Sequence, residues 1–289
     1  MNKKIVSLVI VMIVFFILCG CWWYKRNEKY EWINNNNDNK YLTRGHIRKL
    51  ADYDINNNYD KILMDIKNNN IKNNSIIVSE FSNNQYIDKL NDVINKINKK
   101  LIILFTDHDI NGTDMSNTLD NVKKIIDNPY VIHIFSENWY DKRNPKVTQI
   151  PLGISYKDIY TSGLYKYLNK IEMDMIDNKE KPLRVLCNAH KSVYLHPNSG
   201  YRNDRQIMID LLKDSPFIDF CTDKHDFSKK SIINTWEKHN NYAFELSPSG
   251  NGLDCHRTYE AIILNTIPIV RTNPLDNIYI KHNLPVVIV

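Results

Sequence analysis

Short apolar runs alternate with amphipathic segments along this chain of 289 residues, and this alternation restricts the fold more than any other feature. Ile76–Val78 and Leu101–Phe105 are apolar throughout, as in strands that are buried on both faces. Between them, Tyr86–Lys99 has its apolar residues at helical spacing. Because buried strands that alternate with helices form parallel sheets, we predict an α/β fold.

The alternation occurs in two blocks, which predict two similar α/β units. The first block also predicts a helix at Asn117–Ile126 and a strand at Tyr130–Phe135. The second block predicts alternating strands and helices at Leu183–Cys187, Arg202–Leu212, Phe217–Phe220, Lys230–Lys238, Tyr242–Leu246, Asp254–Leu264, Ile267–Val270, Pro274–Ile280 and Pro285–Val289. We therefore place an N-terminal domain at residues 75–160, a connector at residues 161–182 and a C-terminal domain at residues 183–289.

Residues 1–26 predict a single membrane anchor. Ile5–Trp23 contains no charged residue, and as a helix of about 1.5 Å per residue it has roughly the thickness of a bilayer core. The aromatic residues Trp22–Tyr24 suit the interface between membrane and water. The alternatives are a cleaved signal peptide and a lipoprotein signal with Cys21 as the lipidated residue.

Residues 27–74 are polar and contain several runs of Asn, which predicts a stalk between the anchor and the first domain. One amphipathic helix is expected within it, near Tyr59–Lys67. The net charge of +5 comes without a block of Lys and Arg, so nucleic acid is not a predicted partner. The same charge suits an anionic small ligand or an anionic membrane surface.

A turn of small residues follows the predicted strand at Tyr242–Leu246. It contains Ser249, Gly250, Asn251 and Gly252, which allow a ligand to approach the backbone closely. Asp254 is the predicted N-cap of the next helix, whose free N–H groups favour an anion. The alternative is a strand, turn and helix without a ligand.

Basic residues near two helix starts extend this candidate site. Arg257 lies in the first turn of the helix after Asp254, and Glu260, one turn further, is predicted to accept hydrogen bonds from a ribose. Arg202 and Arg205 begin an earlier helix three residues apart, so both can contact one anion. We predict that these arginines bind a diphosphate; the alternative for Arg202 and Arg205 is a solvated helix end.

Two carboxylates end a strand of the first block. Asp107 and Asp109 follow Leu101–Phe105 and are candidates for the general base that deprotonates an acceptor hydroxyl. They are also spaced to share a divalent cation, as in metal-dependent transferases of the GT-A fold, or to form only a polar loop. Glu80 and Glu137 end neighbouring strands and compete for the role of base.

The last part of the chain, FELSPSGNGLDCHRTYEAIILNTIPIVRTNPLDNIYIKHNLPVVIV, resembles the C-terminal end of exostosin-like glycosyltransferases. The shared features are a strand, a Ser-Pro-x-Gly-like turn, a helix with Arg, an aromatic residue and Glu, and strands with Ile-Pro-Ile-Val and Pro-Val-Val. The resemblance covers residues 242–289. The resemblance is weaker over residues 183–220 and at Ile150–Ile154. Before residue 150 only the alternation of strands and helices is shared.

This resemblance implies a GT-B fold of two facing Rossmann-like domains with a type II membrane anchor of the ER or Golgi kind. It implies transfer of a sugar from a nucleoside-diphosphate sugar to a hydroxyl of a glycan or glycoprotein, without a required metal. Asp109 or Asp107 is then the base, and Arg257 stabilises the leaving diphosphate. The chain ends at Val289 where family members continue, and this departure favours the alternative, a membrane-anchored binding protein without turnover.

Overall fold

A computed structural model describes residues 41–81, 83–106, 116–139, 144–155, 163–189, 204–221, 228–250 and 252–289. The predicted anchor at Ile5–Trp23 and the first part of the predicted stalk lie outside these residues. Within the described part of the chain, no helix has the length and the apolar character needed to cross a membrane.

The described residues form two compact units, and each is an α/β unit with one parallel sheet of five strands. The first unit contains residues 44–151, and the second contains residues 41–43 together with residues 152–289. The α/β prediction is therefore confirmed. The units start and end at different residues from the predicted domains, because residues 44–74 pack into the first unit and residues 163–182 into the second.

The first unit alternates strands and helices from its amino end. Its elements are α1 (Arg44–Arg48), β1 (Tyr53–Asp54), α2 (Tyr59–Lys67), β2 (Ser75–Glu80), α3 (Asn84–Asn95), β3 (Leu101–Thr106), α4 (Ser116–Asp127), β4 (Val131–Glu137) and β5 (Val147–Ile150). The strands lie side by side in chain order, β1-β2-β3-β4-β5, and all pairs are parallel. Strand β3 is buried along its whole length, as its apolar sequence predicts.

The described part of the predicted stalk, residues 41–74, is folded, so the stalk prediction is wrong for these residues. Strand β1 pairs with β2, and α2 is the helix that the sequence predicted. Ile55 and Ile62 are completely buried in the core of the first unit. The Asn residues that obscured this pattern serve turns: Asn69 and Asn74 adopt positive φ angles, which Asn tolerates better than most residues.

Strand β5 is absent from the sequence prediction, which placed its residues in the first domain without assigning them to a strand. It lies at the edge of the first sheet and pairs only with β4 among the described strands. Val147, Thr148 and Gln149 are partly exposed, and only Ile150 is buried. An edge strand of mixed polarity lacks the continuous apolar run that identified β2 and β3.

The second unit includes the predicted connector. Its elements are α5 (Tyr165–Asp174), β6 (Val185–Cys187), α6 (Asp204–Leu212), β7 (Ile218–Phe220), α7 (Lys229–Lys238), β8 (Phe244–Leu246), α8 (His256–Ile263), β9 (Ile267–Val270), α9 (Asp276–Lys281) and β10 (Val287–Ile288), with 3-10 turns at Asn178–Glu180 and His239–Asn241. Leu164, Leu168 and Met175 pack into one buried cluster with Trp236 and Tyr259. Residues 163–182 are therefore part of this core rather than a separate connector.

The second sheet has the strand order β10-β9-β8-β6-β7, and all of its pairs are parallel. From β6 the chain continues to β7 on one side, and then returns to β8 on the other side of β6. The strand order therefore reverses between β6 and β8. Ligands of open parallel sheets bind beyond the carboxyl ends of the strands at such a reversal. This rule predicts a ligand site at the segments that follow β6 and β8.

Candidate functional site

The turn that follows β8 is fixed to its surroundings by hydrogen bonds. The N–H of Ser247 donates to the carbonyl oxygen of Ile269 at 2.8 Å, and the Ser247 hydroxyl lies 2.9 Å from the hydroxyl of Thr258 in α8. The N–H of Gly250 donates to the carbonyl oxygen of Gly252 at 2.9 Å. These hydrogen bonds join the turn after β8 to β9 and to α8.

Arg205 and Arg257 converge on this turn from two different helices. Arg205 lies near the start of α6, which follows β6, and its Nε donates to the carbonyl oxygen of Ser249 at 2.8 Å. Arg257 lies in the first turn of α8, and its Nη1 donates to the carbonyl oxygen of Pro248 at 3.3 Å. The segments after β6 and β8 thus place two guanidinium groups on adjacent carbonyl groups, at the reversal of strand order.

The two arginines bring two positive charges to this place. Burial lowers the pKa of Arg205, and the positive charge of Arg257 lowers it further. Burial raises the pKa of the Cys255 thiol, although both guanidinium groups oppose that rise. The side chain of Arg257 is only 14% exposed. Positive charges in partly desolvated surroundings bind anions more strongly than surface charges in water do.

Gly250 allows the close approach of Arg205 to the turn. A Cβ atom at this position would lie 3.0 Å from Nη2 of Arg205 and 3.1 Å from Sγ of Cys255. Both separations are tighter than ordinary van der Waals contact. The sequence predicted that small residues here let a ligand approach the backbone, and in the structure they let a guanidinium group approach it.

Asp254 is not the N-cap that the sequence predicted. Helix α8 begins at His256, and its N-cap is Cys255. The carboxyl of Asp254 is buried and accepts hydrogen bonds from the Tyr259 hydroxyl at 2.6 Å and from the Tyr279 hydroxyl at 3.0 Å. Because these two hydroxyls hold the carboxylate inside the unit, Asp254 joins α8 to α9 instead of capping a helix.

Residues 152–154 support the start of α8 from the other side. The N–H of Leu152 donates to Asp254 at 2.9 Å, and Nδ1 of His256 donates to the carbonyl oxygen of Gly153 at 2.7 Å. Gly153 has a φ angle of +68°, and a Cβ atom there would lie 2.4 Å from the carbonyl oxygen of Leu42. Position 153 therefore requires glycine. Residues 152–154, which belong to the segment that weakly resembles exostosin-like glycosyltransferases, have a structural role in the second unit.

Glu260 interacts with charged and aromatic side chains in the structure. Burial, followed by the charge of Glu245, raises its pKa to about 7; His239, Trp236 and Arg257 act in the opposite direction. A carboxyl in these surroundings is protonated for part of the time at neutral pH. The predicted contact of Glu260 with a ribose stays a prediction, and these neighbours do not favour it.

The structure brings together one part of the predicted donor site. Arg205 contacts Ser249 and lies beside Gly250, Arg257 contacts Pro248 in the same turn, and Gly252 bonds with Gly250. Arg202 and Asn251 lie outside the described residues, as do Asp107 and Asp109. In the part of the chain that is described, no group of three or more His, Cys, Asp or Glu side chains is placed to hold a metal ion.

The competing carboxylates of the first unit both have partners. Glu137 is completely buried at the end of β4 and lies 3.2 Å from Nε of Arg44 in α1. Glu80, at the end of β2, accepts a hydrogen bond from the side chain of Asn56 at 3.0 Å. The ion pair and the burial make Glu137 a structural carboxylate, whereas Glu80 is partly exposed.

Glu245 and His239, which pair with each other next to the candidate site, were not predicted from the sequence. Glu245 is completely buried in β8, and its Oε2 lies 2.9 Å from Nε2 of His239. The sequence does contain a sign of this pair, because Glu245 is a charged residue between Phe244 and Leu246 in a predicted buried strand. A charged residue in such a strand indicates a paired or functional carboxylate.

No model of a known protein family matches the chain, and no curated protein sequence matches it either.

Proposed function

We propose that this protein is a membrane-anchored glycosyltransferase that moves a sugar from a nucleoside-diphosphate sugar to a hydroxyl of a glycan or glycoprotein. The observation that carries the proposal is the convergence of Arg205 and Arg257 on the turn at residues 247–250. It occurs where the strand order of the second sheet reverses, which is the usual ligand position in open parallel sheets. The resemblance of residues 242–289 to exostosin-like glycosyltransferases points to the same substrate class.

In this proposal the diphosphate of the donor lies against the two guanidinium groups. A guanidinium group has planar N–H donors that match the oxygen atoms of phosphate. As the bond between sugar and phosphate breaks, negative charge grows on the leaving diphosphate. Arg205 and Arg257 then stabilise the transition state more than the bound donor, and this difference lowers the barrier. Such a site requires no metal ion.

The first unit supplies the acceptor side in the proposed GT-B architecture. Asp107 and Asp109 follow β3 in the sequence and remain our proposed bases for the acceptor hydroxyl. Glu80 is the alternative, since it ends the adjacent strand β2 and is partly exposed. Glu137 is excluded from the proposal because its carboxyl is buried and paired with Arg44.

The experiment is calorimetric titration of the full-length protein in mild detergent with pyrophosphate and a panel of nucleoside diphosphates. We expect binding, and we expect Arg257→Ala to weaken it at least about tenfold, the loss of about 1.4 kcal/mol. The matched control is Arg184→Ala. Arg184 lies at the amino end of β6, whereas the candidate site lies at the carboxyl ends of the strands, and it pairs with Asp219.

The proposal fails if the wild-type protein binds neither pyrophosphate nor any nucleoside diphosphate. It also fails if Arg184→Ala weakens binding as much as Arg257→Ala does, because the loss then reflects general positive charge. Binding without turnover of any nucleotide-sugar would assign the chain to the alternative function, a membrane-anchored binding protein.

A further inference from the structure

Glu245 is a buried charge that the proposed reaction does not use. It lies in β8, which pairs with β6 on one side and with β9 on the other. Its side chain is 0% exposed. An ionised carboxylate at such a position is costly unless cations and hydrogen-bond donors surround it. The groups that face its two oxygen atoms therefore indicate its role.

One oxygen of Glu245 is held by His239. Nδ1 of this imidazole lies 2.9 Å from the carbonyl oxygen of Thr235, and a carbonyl oxygen only accepts, so Nδ1 carries a hydrogen. Nε2 lies 2.9 Å from Oε2 of Glu245. Burial lowers the pKa of His239, but the charge of Glu245 and their hydrogen bond outweigh burial, and the pKa is raised overall. Because Nδ1 donates to Thr235, His239 donates to Glu245 through Nε2 only in its protonated form, which the raised pKa favours.

The other oxygen, Oε1, faces Arg257. Among the described residues Oε1 has no hydrogen-bond partner, and Nε of Arg257 lies 3.9 Å away. This separation is about 1 Å longer than a hydrogen bond between a guanidinium and a carboxylate. A small movement of Arg257 thus satisfies a buried oxygen that otherwise lacks a donor.

We infer that Glu245 is a positioning residue for Arg257, which it holds from behind while the terminal N–H groups of the guanidinium bind the diphosphate of the donor. This inference rests on the proposed function. The Nε–H and the far terminal N–H groups of a guanidinium point in different directions, so one arginine can serve both partners. In the structure Nη1 donates to the carbonyl oxygen of Pro248, and a phosphate oxygen takes that place when the donor binds.

The competing explanation is that Glu245 serves only as the counter-ion of His239 within the core. Both explanations predict that losing the carboxylate disturbs the protein. The two explanations differ in whether the loss of anion affinity requires Arg257 to be present. A residue that acts through Arg257 has no effect on anion binding once Arg257 is removed, whereas a general structural effect is the same with or without Arg257.

A double-mutant cycle on the full-length protein separates the two, with inorganic pyrophosphate as the probe and calorimetry as the measurement. Glu245→Gln keeps the size of the side chain and a hydrogen bond to His239. We expect it to weaken pyrophosphate binding about tenfold in the wild-type background and less than twofold in the Arg257→Ala background. The matched control is Glu172→Gln, because Glu172 is also buried in the second unit and accepts a hydrogen bond from Tyr41. It should leave the affinity unchanged.

Equal losses in both backgrounds, or an unchanged affinity for Glu245→Gln, overturn the inference and leave the proposed function standing. Absence of pyrophosphate and nucleotide binding by the wild-type protein overturns the proposed function and this inference with it. If Glu245→Gln does not fold, NMR of the wild-type protein labelled with ¹⁵N in arginine decides instead. Pyrophosphate should move the Nε–H signal that Arg257→Ala removes downfield, because its hydrogen bond to Glu245 then forms, and a signal that stays in place or moves upfield overturns the inference.

Discussion

The Nε of Arg205 donates a hydrogen bond of 2.8 Å to the carbonyl oxygen of Ser249. This bond joins the helix that follows β6 to the turn that follows β8, so it connects the two segments on either side of the reversal in strand order. Arg257 reaches the neighbouring carbonyl oxygen of Pro248 from α8. In the proposed function, the diphosphate of the donor replaces these carbonyl groups as the acceptor for both cations.

Gly250→Ala should weaken anion binding more than it weakens the fold. The added Cβ lies 3.0 Å from Nη2 of Arg205, so the guanidinium must move by a few tenths of an ångström. We expect the affinity for pyrophosphate to fall about tenfold, whereas the free energy of unfolding changes by less than about 1 kcal/mol. Calorimetry and urea unfolding measure the two quantities.

Gly163→Ala is the matched control for this prediction. Gly163 has a φ angle of +77° with open space around it, so alanine there introduces backbone strain away from the turn. It should lower the free energy of unfolding by about 1 kcal/mol and leave the affinity for pyrophosphate unchanged. If both variants show the same loss of affinity, Gly250 has no special relation to the site.

Asp254→Asn should destabilise the second unit. The two oxygen atoms of Asp254 accept hydrogen bonds from Tyr259, Tyr279 and the N–H groups of Leu152 and Cys255. An amide replaces one of these oxygens with a donor, which then faces other donors inside the protein. We expect a loss of about 2 to 4 kcal/mol in the free energy of unfolding.

Urea unfolding of Asp254→Asn measures this loss, and Asp174→Asn is the control. Asp174 is exposed at the end of α5, so its substitution should change the free energy of unfolding by less than about 0.5 kcal/mol. Equal values for the wild-type protein and Asp254→Asn would contradict the account of Asp254 as the link between α8 and α9.

Glu260 should make the stability of the protein depend on pH. Its pKa is about 7 in the folded protein, raised from 4.5 first by burial and then by the charge of Glu245. The other groups that face it are Trp236, His239 and Arg257, and all three lower its pKa. Because the folded state holds this proton more tightly than the unfolded state, the stabilisation is complete below pH of about 4.5 and is lost as pH rises through about 7.

Glu260→Gln removes this titration, so its free energy of unfolding should decline less steeply than that of the wild-type protein between pH of about 4.5 and 7. The difference accumulated over that range is at most about 3 kcal/mol. His239 also has a raised pKa and contributes a slope of the same sign, but it is present in both proteins. Parallel curves for the two proteins would show that Glu260 does not titrate in this range.

The elements with continuous apolar runs were predictable from the sequence, and those without them were not. Strand β9 has the predicted bounds, because Ile267–Val270 is an uninterrupted apolar segment between polar residues. Strands β1 and β5 lie at the edges of the first sheet, where mixed polarity is tolerated, and neither was predicted. Burial of Ile55 and Ile62 against the core depends on residues distant in sequence, which local patterns do not contain.

Part of the candidate site was also predictable from the sequence. The turn and the two arginines follow from the order of strand, loop and helix, because that order brings Arg205 and Arg257 to the same edge of the sheet. Spacing does not show that Asp254 turns inward to two tyrosine hydroxyls. Nor does it show that Glu245 lies 3.9 Å from Nε of Arg257, since that relation depends on the tertiary arrangement of α8 and β8.

The most direct test of the central claim is the steady-state kinetics of donor turnover for the wild-type protein, Arg205→Ala and Arg257→Ala, each checked for folding. With nucleotide-sugars of the nucleoside diphosphate that the binding panel identifies, we expect the wild-type protein to transfer or hydrolyse the sugar. Each alanine variant should lower kcat by about 10²- to 10³-fold, because each removes a cation from the leaving diphosphate. Variants whose kcat stays within a few-fold of the wild-type value would contradict the account, and so would a wild-type protein that binds donors but never turns them over.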